Sequence, residues 1–354
     1  MPDGNREKAK CECWFLDVGQ GSANVILLGG GKAIVIDCGP VGAEQTRQFL
    51  KGHAHVDTIE ALIITHNDTD HDGHAAAVIE AYPNAIKDIY VLADRNVEEI
   101  LLRKTLTRLM QNEKGEYPIP KRLESDGDAP RILFSENDIT LKVIYPDLTA
   151  TWQAEMSTSR RANRTSAILR LSCGERKIVF SSDATIESWD YIASKVIGEI
   201  PLLCDVMTVP HHGGKISIGD EAACQQRLYS EIIRPIYGII SVGSNNISGH
   251  PLAECITALR RAGVKVLCTQ MTPQCCEDIE NIRPLRRTIS RPARSDRKVN
   301  KSSTGRSRHV ACFGSVVAEI SSEAVRISNL ATFEQDMVSF GQVPGFTPIC
   351  RPLN

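Results

Sequence analysis

The chain has 354 residues, 42% of them hydrophobic, which is enough for a large buried core and excludes disordered and fibrous classes. Its 41 basic and 43 acidic side chains nearly cancel, so the overall charge calls for neither a nucleic-acid nor a membrane partner. The opening MPDGNREKAKCE is polar, and no apolar run approaches the ~20 residues of a membrane helix. The expectation is a cytoplasmic protein without membrane contact, whose 12 cysteines are mainly reduced thiols. Cys38, Cys173, Cys204 and Cys255 lie within or beside apolar stretches and read as small buried hydrophobes.

In chain order, strands are expected at 14–18, 23–28 and 33–37, separated by glycine turns. A short helix over 44–51 and a buried strand over 59–65 follow, then a helix over 73–82. Residues 97–111 read as another helix, and the polar stretch 112–130 as a surface excursion. Strands at 139–145, 166–172 and 177–182 lead into alternating helices and strands between 187 and 267. The pattern predicts an α/β fold of two mixed sheets with helices outside. Three regions are expected: a main domain over 1–272, a Pro/Ser-rich basic insertion over 273–309, and strands over 310–354 that complete or flank the domain. Between Arg283 and Arg308 the insertion holds ten basic residues and one acid, a local charge of about +9.

The residues that carry chemistry cluster where strands end. Thr65-His66-Asn67-Asp68-Thr69-Asp70-His71-Asp72-Gly73-His74 places three imidazoles and three further carboxylates in one short loop. Such groups repel or mis-titrate one another unless a cation neutralises them. Asp183 follows a second apolar run, His211 and His212 a third, and His250 a glycine- and asparagine-rich loop after a fourth. Strand ends on one rim can bring distant parts of a chain to a common ligand.

These segments, with Asp17-Val18-Gly19-Gln20-Gly21, Asp37-Cys38-Gly39, Ser182-Asp183-Ala184, Pro210-His211-His212-Gly213, Ser241–Asn246 and Gly249-His250-Pro251, closely resemble the metallo-β-lactamase superfamily. The resemblance is to its ComEC-like branch, the hydrolase domain attached to bacterial DNA-uptake channels, and spans roughly residues 12 to 272. It implies an αββα sandwich with two divalent ions, zinc or manganese, between loops at one sheet edge. By position, His66 and Asp68 would hold one ion, Asp70, His71 and His250 the other, and Asp183 would bridge them. His212 would complete the shell of the first ion while His211 faces substrate, with exchange of that pair left open. Asp37 would orient the metal loop. Asp70, Asp183 and His211 are the catalytic candidates, and Asn163, Ser166, Lys215 and Asn246 the candidates for substrate contact.

The branch usually has Gly-Asp-Ala where this chain has Ser182-Asp183-Ala184, a glycine pair where it has Gly73-His74, and a small hydroxyl pair where it has Lys215-Ile216-Ser217. The transmembrane channel is absent from this chain, which sets the expectation of a stand-alone enzyme. Two metal ions about 3.5–4 Å apart suit phosphodiester hydrolysis, so a nuclease or phosphodiesterase acting on nucleic acid is the leading reading. A metallo-hydrolase of lactones, thioesters or amides and a non-catalytic binding module stay open beside it. His74 is expected on the exposed helix face, His53 and His55 on the surface. Cys268, Cys275, Cys276, His309 and Cys312 bracket the basic segment, as a zinc staple or as buried thiols.

Overall fold

The computed structural model describes residues 10–40, 44–92, 118–127, 129–156, 161–195, 202–244, 246–275 and 311–340. The expected helix over 97–111 and the basic segment 283–308 lie outside the described residues, as do Cys276 and His309. Two mixed sheets face one another with helices outside. The first contains β1 (Cys11–Phe15), β2 (Asn24–Gly29), β3 (Lys32–Ile36), β4 (Thr58–Ile64), β5 (Ile89–Val91) and β6 (Lys121–Arg122). To these it adds β14 (Val316–Ile320) and β15 (Val325–Ile327), in the order β15-β14-β1-β2-β3-β4-β5-β6. The second contains β7 (Arg131–Glu136), β8 (Ile139–Tyr145), β9 (Ile168–Cys173), β10 (Arg176–Phe180), β11 (Leu202–Thr208), β12 (Ile233–Ile240) and β13 (Lys265–Cys268). Its order is β13-β12-β11-β10-β9-β8-β7.

Apolar alternation explains the layers. In the first sheet Ile26, Ile34, Ile36 and Ile63 point into the space between the sheets. Their neighbours Val25, Val35, Leu62 and Ile64 join a second core with Leu50, Val78, Ile79 and Tyr82 beneath the flanking helices. Strands buried on both faces read as continuous apolar runs, as β3 and β4 do. Leu141, Val143, Leu169, Leu171, Ile178, Phe180 and Val206 answer from the second sheet. Phe15 and Phe180 meet across the interface with ring centroids 5.9 Å apart. Each fully buried aliphatic side chain stabilises this arrangement by roughly 1.5–3 kcal/mol.

Parallel pairing decides where the site forms. β3 pairs parallel with β4, and β10 with β11 and β11 with β12 likewise. Parallel neighbours end at the same side of their sheet, so Asp37, Thr65, Asp183, His211 and the loop to His250 all leave their strands there.

Several local expectations change. The first strand runs over Cys11–Phe15 rather than 14–18, because Cys11, Cys13 and Phe15 alternate inward and the strand pairs on both sides, with β2 and β14. Residues 17–20 form a loop instead, in which the Asp17 carboxylate accepts hydrogen bonds from Gly19 and Gln270. The excursion contains β6, which pairs with β5, and β7 is an additional edge strand. His74 is buried, not exposed: its backbone N–H donates to the Gly39 carbonyl, drawing it under the loop after β3. His53 and His55 are exposed. Among the described residues no disulfide forms, and all described cysteines except Cys224 are buried. Among those residues, no helix is long and apolar enough to cross a membrane.

One close approach shows how tightly the loops seat. Gly21 has φ +149°, and a Cβ there would lie 2.5 Å from the Asp70 carbonyl oxygen and 2.8 Å from Pro40 Cδ. The neighbouring Ser22 N–H donates to that same carbonyl at 2.9 Å. Gly21→Ala is therefore expected to lower unfolding free energy by about 1–3 kcal/mol, measured by urea denaturation. An unchanged midpoint would show that the loop can shift without cost.

Candidate metal centre

Asp37 is the first fixed point. It is 1% exposed and takes φ +59°, a conformation that aspartate tolerates better than most residues. Its Oδ1 accepts the Thr65 N–H at 2.8 Å, and Oδ2 lies 2.7 Å from Thr65 Oγ1 and 2.8 Å from His71 Nδ1. A buried carboxylate is tolerable only with such partners. The result orients His71 with Nε2 toward the centre, 3.1 Å from Asp183 Oδ1. Backbone bonds from Cys38 to the His71 carbonyl and from Ser22 to that of Asp70 hold the loop in place.

The other imidazoles are aimed in the same way. His66 is fully buried, with Nδ1 3.0 Å from Ser166 Oγ and Nε2 3.1 Å from Asp68 Oδ2. His212 Nδ1 meets the Ser241 carbonyl at 2.8 Å, which leaves Nε2 facing Asp70 Oδ2 at 3.3 Å and Asp183 Oδ1 at 3.7 Å. His211 Nδ1 donates to the Lys215 carbonyl at 2.7 Å, and its Nε2 lies 3.7 Å from Asp183 Oδ2. Both His211 and His212 occupy the left-handed region, with φ +52° and +54°. That tight turn after β11 costs of order 1–2 kcal/mol per residue. It throws two adjacent side chains toward one centre. His250 packs against His211, ring centroids 5.1 Å apart. Gly214 leaves it room, since a Cβ there would fall 2.5 Å from the His250 ring.

The electrostatics are strongly coupled. Burial works against charge on Asp183, but His71, His212 and His66 outweigh it and hold its pKa well below the usual carboxylate range. Asp70 is lowered likewise, burial opposing and His212 and His71 prevailing. Burial also opposes charge on His71, yet Asp183 and Asp37 raise its pKa well above the ordinary value. His212 is raised by Asp70 and Asp183 against the same penalty. His250 goes the other way: burial and then His211 and His212 push it down to about 4.

This donor set suits a divalent cation. Asp70, His71 and His212 offer ligand atoms within 4.8 Å of one another. His66 Nε2 and His212 Nε2 are buried and meet only the nearby carboxylates of Asp68 and Asp70 without a well-directed hydrogen bond, and His250 Nδ1 is buried without a hydrogen-bond partner. Orphaned buried polar atoms are costly unless something absent from the protein chain satisfies them. His212 lies beside Asp70 and His71, its far nitrogen held by the Ser241 carbonyl at the end of β12.

The four candidates for substrate contact separate. Ser166 is fully buried against His66, and Asn246 is spent within its own loop. Asn246 Nδ2 donates to the Gly243 and His250 carbonyls, and its Oδ1 accepts the His250 N–H, so it positions His250 rather than reaching outward. Asn163 is half-buried and Lys215 exposed, and these two remain open to a ligand. Cys268, Cys275 and Cys312 are buried near the join of residues 270 and 311, but do not form a tight donor cluster among the described residues.

Reasoning from sequence missed Thr65, Ser182 and Asp72. The first adjoins His66, and the second stands out as a departure from glycine. The third belonged to the cluster without a role, and burial with the nearby Asp37 charge pushes its pKa up to about 7.

A cation at this centre has to displace the proton that Asp183 stabilises on His71 Nε2. Manganese or zinc binding to metal-free protein should therefore release protons and tighten as pH rises from 6 to 8. Calorimetry in two buffers of different ionisation heat measures this. Equal heats in both would remove His71 from the ligand set.

The profile of the metallo-beta-lactamase superfamily matches residues 16–100. Recombination protein 2 of Haemophilus influenzae is 26% identical over 252 residues, which is 70% of this chain and 26% of that protein. ComE operon protein 3 of Bacillus subtilis is 25% identical over 217 residues, or 60% of this chain and 23% of that protein. The chain thus spans about a quarter of the length of these curated relatives. Among solved structures, the metallo-beta-lactamase fold protein YhfI from Bacillus subtilis aligns with a TM-score of 0.45 at 12% identity, covering 73% of this chain and 96% of that one. The profile match and the paired mixed sheets mark a metallo-β-lactamase superfamily domain in this chain, and the two curated relatives are consistent with its ComEC-like branch.

Proposed function

We propose that this domain is a metal-dependent phosphodiesterase whose substrate is nucleic acid. The observation that carries the reading is the donor set itself: Asp68, Asp70 and Asp183 converge with His66, His71, His212 and His250 beside an exposed lysine, Lys215. Oxygen-rich mixed sites favour harder divalent ions such as manganese alongside zinc. A curated relative named for recombination adds support for a nucleic-acid substrate. Bound at these residues, two divalent ions would acidify the attacking water and neutralise charge on the phosphoryl oxygens.

The chain's own groups divide the remaining work. Asp183, held ionised by three neighbouring imidazoles, stands between His71 and His212 and would help to hold the divalent ions. Asp37 fixes the orientation of His71, and Ser166 that of His66. His211 is partly exposed, with its Nδ1 hydrogen committed to the Lys215 carbonyl. Its Nε2 can therefore carry a proton to the leaving oxygen of a cleaved ester. Lys215, exposed and joined to His211 through its backbone carbonyl, can hold a flanking phosphate by charge.

The test is turnover of bis-p-nitrophenyl phosphate and of single- and double-stranded DNA and RNA with manganese or zinc, against a lactone panel. Asp183→Asn should reduce kcat by at least about 100-fold. Lys215→Ala should mainly raise KM for oligonucleotides, by roughly 5- to 10-fold. Turnover of lactones without any phosphodiesterase activity would replace this reading with a carbonyl hydrolase. Metal-dependent nucleic-acid binding unaltered by Asp70→Ala, with no turnover of any substrate, would leave a binding module.

A further inference from the structure

We propose that Ser182 is a positioning residue of the metal centre, whose hydroxyl, carried on a left-handed backbone, holds the Thr65 hydroxyl in place against Asp37 and so supports the orientation of His71. The proposal rests on the metal-centre reading above. Ser182 has φ +47° and is half-buried immediately before Asp183. Glycine adopts this conformation without strain, whereas any residue with a Cβ does so at a cost. Strain of this kind persists where the surrounding structure holds it.

The hydroxyl supplies that surrounding structure. Ser182 Oγ lies 2.8 Å from Thr65 Oγ1, which lies 2.7 Å from Asp37 Oδ2. Asp37 Oδ2 in turn is 2.8 Å from His71 Nδ1. Thr65 has one hydroxyl hydrogen, and an ionised carboxylate can only accept. Asp37 Oδ2 and Ser182 Oγ both stand as acceptors of that one hydrogen, so Ser182 sets the rotamer from which the Thr65 hydroxyl reaches Asp37. Asp37 then takes the hydrogen from His71 Nδ1, which leaves Nε2 as the nitrogen aimed at the centre. The chain of hydroxyls crosses from the second sheet to the first, because Ser182 follows β10 while Thr65 follows β4. Ser182 also works through its backbone: its carbonyl accepts the His211 N–H at 3.0 Å. One residue thus ties the His211 turn, the Asp183 loop and the Asp37–His71 pair together.

Removing the hydroxyl while keeping the backbone content separates these roles. Ser182→Gly should unfold at the same or a higher urea concentration than the parent, since its left-handed strain is gone. Its metal-free form should nonetheless bind manganese or zinc about 10- to 100-fold more weakly, the usual effect of losing an outer partner of a metal ligand. Ser182→Ala, which keeps the strain and loses the hydroxyl, should fall in both. Parent-like affinity in Ser182→Gly, or a parallel loss of stability and affinity there, overturns the proposal. A parent that binds neither ion overturns the metal-centre reading as well, and that titration is made first, so the two failures are distinguished.

Discussion

A buried carboxylate with three hydrogen-bonding partners anchors the whole arrangement. Asp37 lies in a dry environment, where an unpaired charge would be prohibitive. Thr65 and His71 meet that demand, and in doing so they bring the end of β4 and the loop beyond it against the end of β3. The geometry of the centre follows from this fastening. His71 cannot rotate away, and the Asp70 carbonyl becomes a docking point for the hairpin loop that carries Ser22.

The second sheet contributes the complementary half. Its parallel strands β10, β11 and β12 deliver Asp183, the His211-His212 turn and the His250 loop to the same rim. Opposite charges then organise what the backbone has brought together. The carboxylates of Asp70 and Asp183 are held ionised while His71 and His212 favour their charged forms, so the metal-free centre is a lattice of compensating charges. A divalent cation can replace the protons in that lattice without requiring the scaffold to rearrange.

Much of this could be read from the residues alone. The His66–His71 cluster and the isolated Asp183, His211-His212 and His250 each follow an apolar run, and a run that ends in a ligand-type residue is visible in one dimension. Which histidine sits beside which carboxylate was not visible, because the Ser241 carbonyl that anchors His212 comes from another strand. The hydrogen bonds of Asn246 are hidden for a related reason: its partners are backbone groups of its own loop. The first strand was placed too late because Cys11 and Cys13 sit among charged residues, and only pairing with β14 reveals them as inward-facing. His74 was misjudged because helical position says nothing about the Gly39 loop folding over it.

The pairing of β1 also bears on how the protein comes into being. Its partner on one side follows within a few residues, but its partner on the other, β14, is synthesised roughly 300 residues later. Until then the cysteine-lined flank of β1 presents unpaired amide and carbonyl groups, the kind of border at which nascent chains cross-associate. β1 is sealed only when β14 emerges, and until then a chaperone or an interim neighbour has a defined edge to guard.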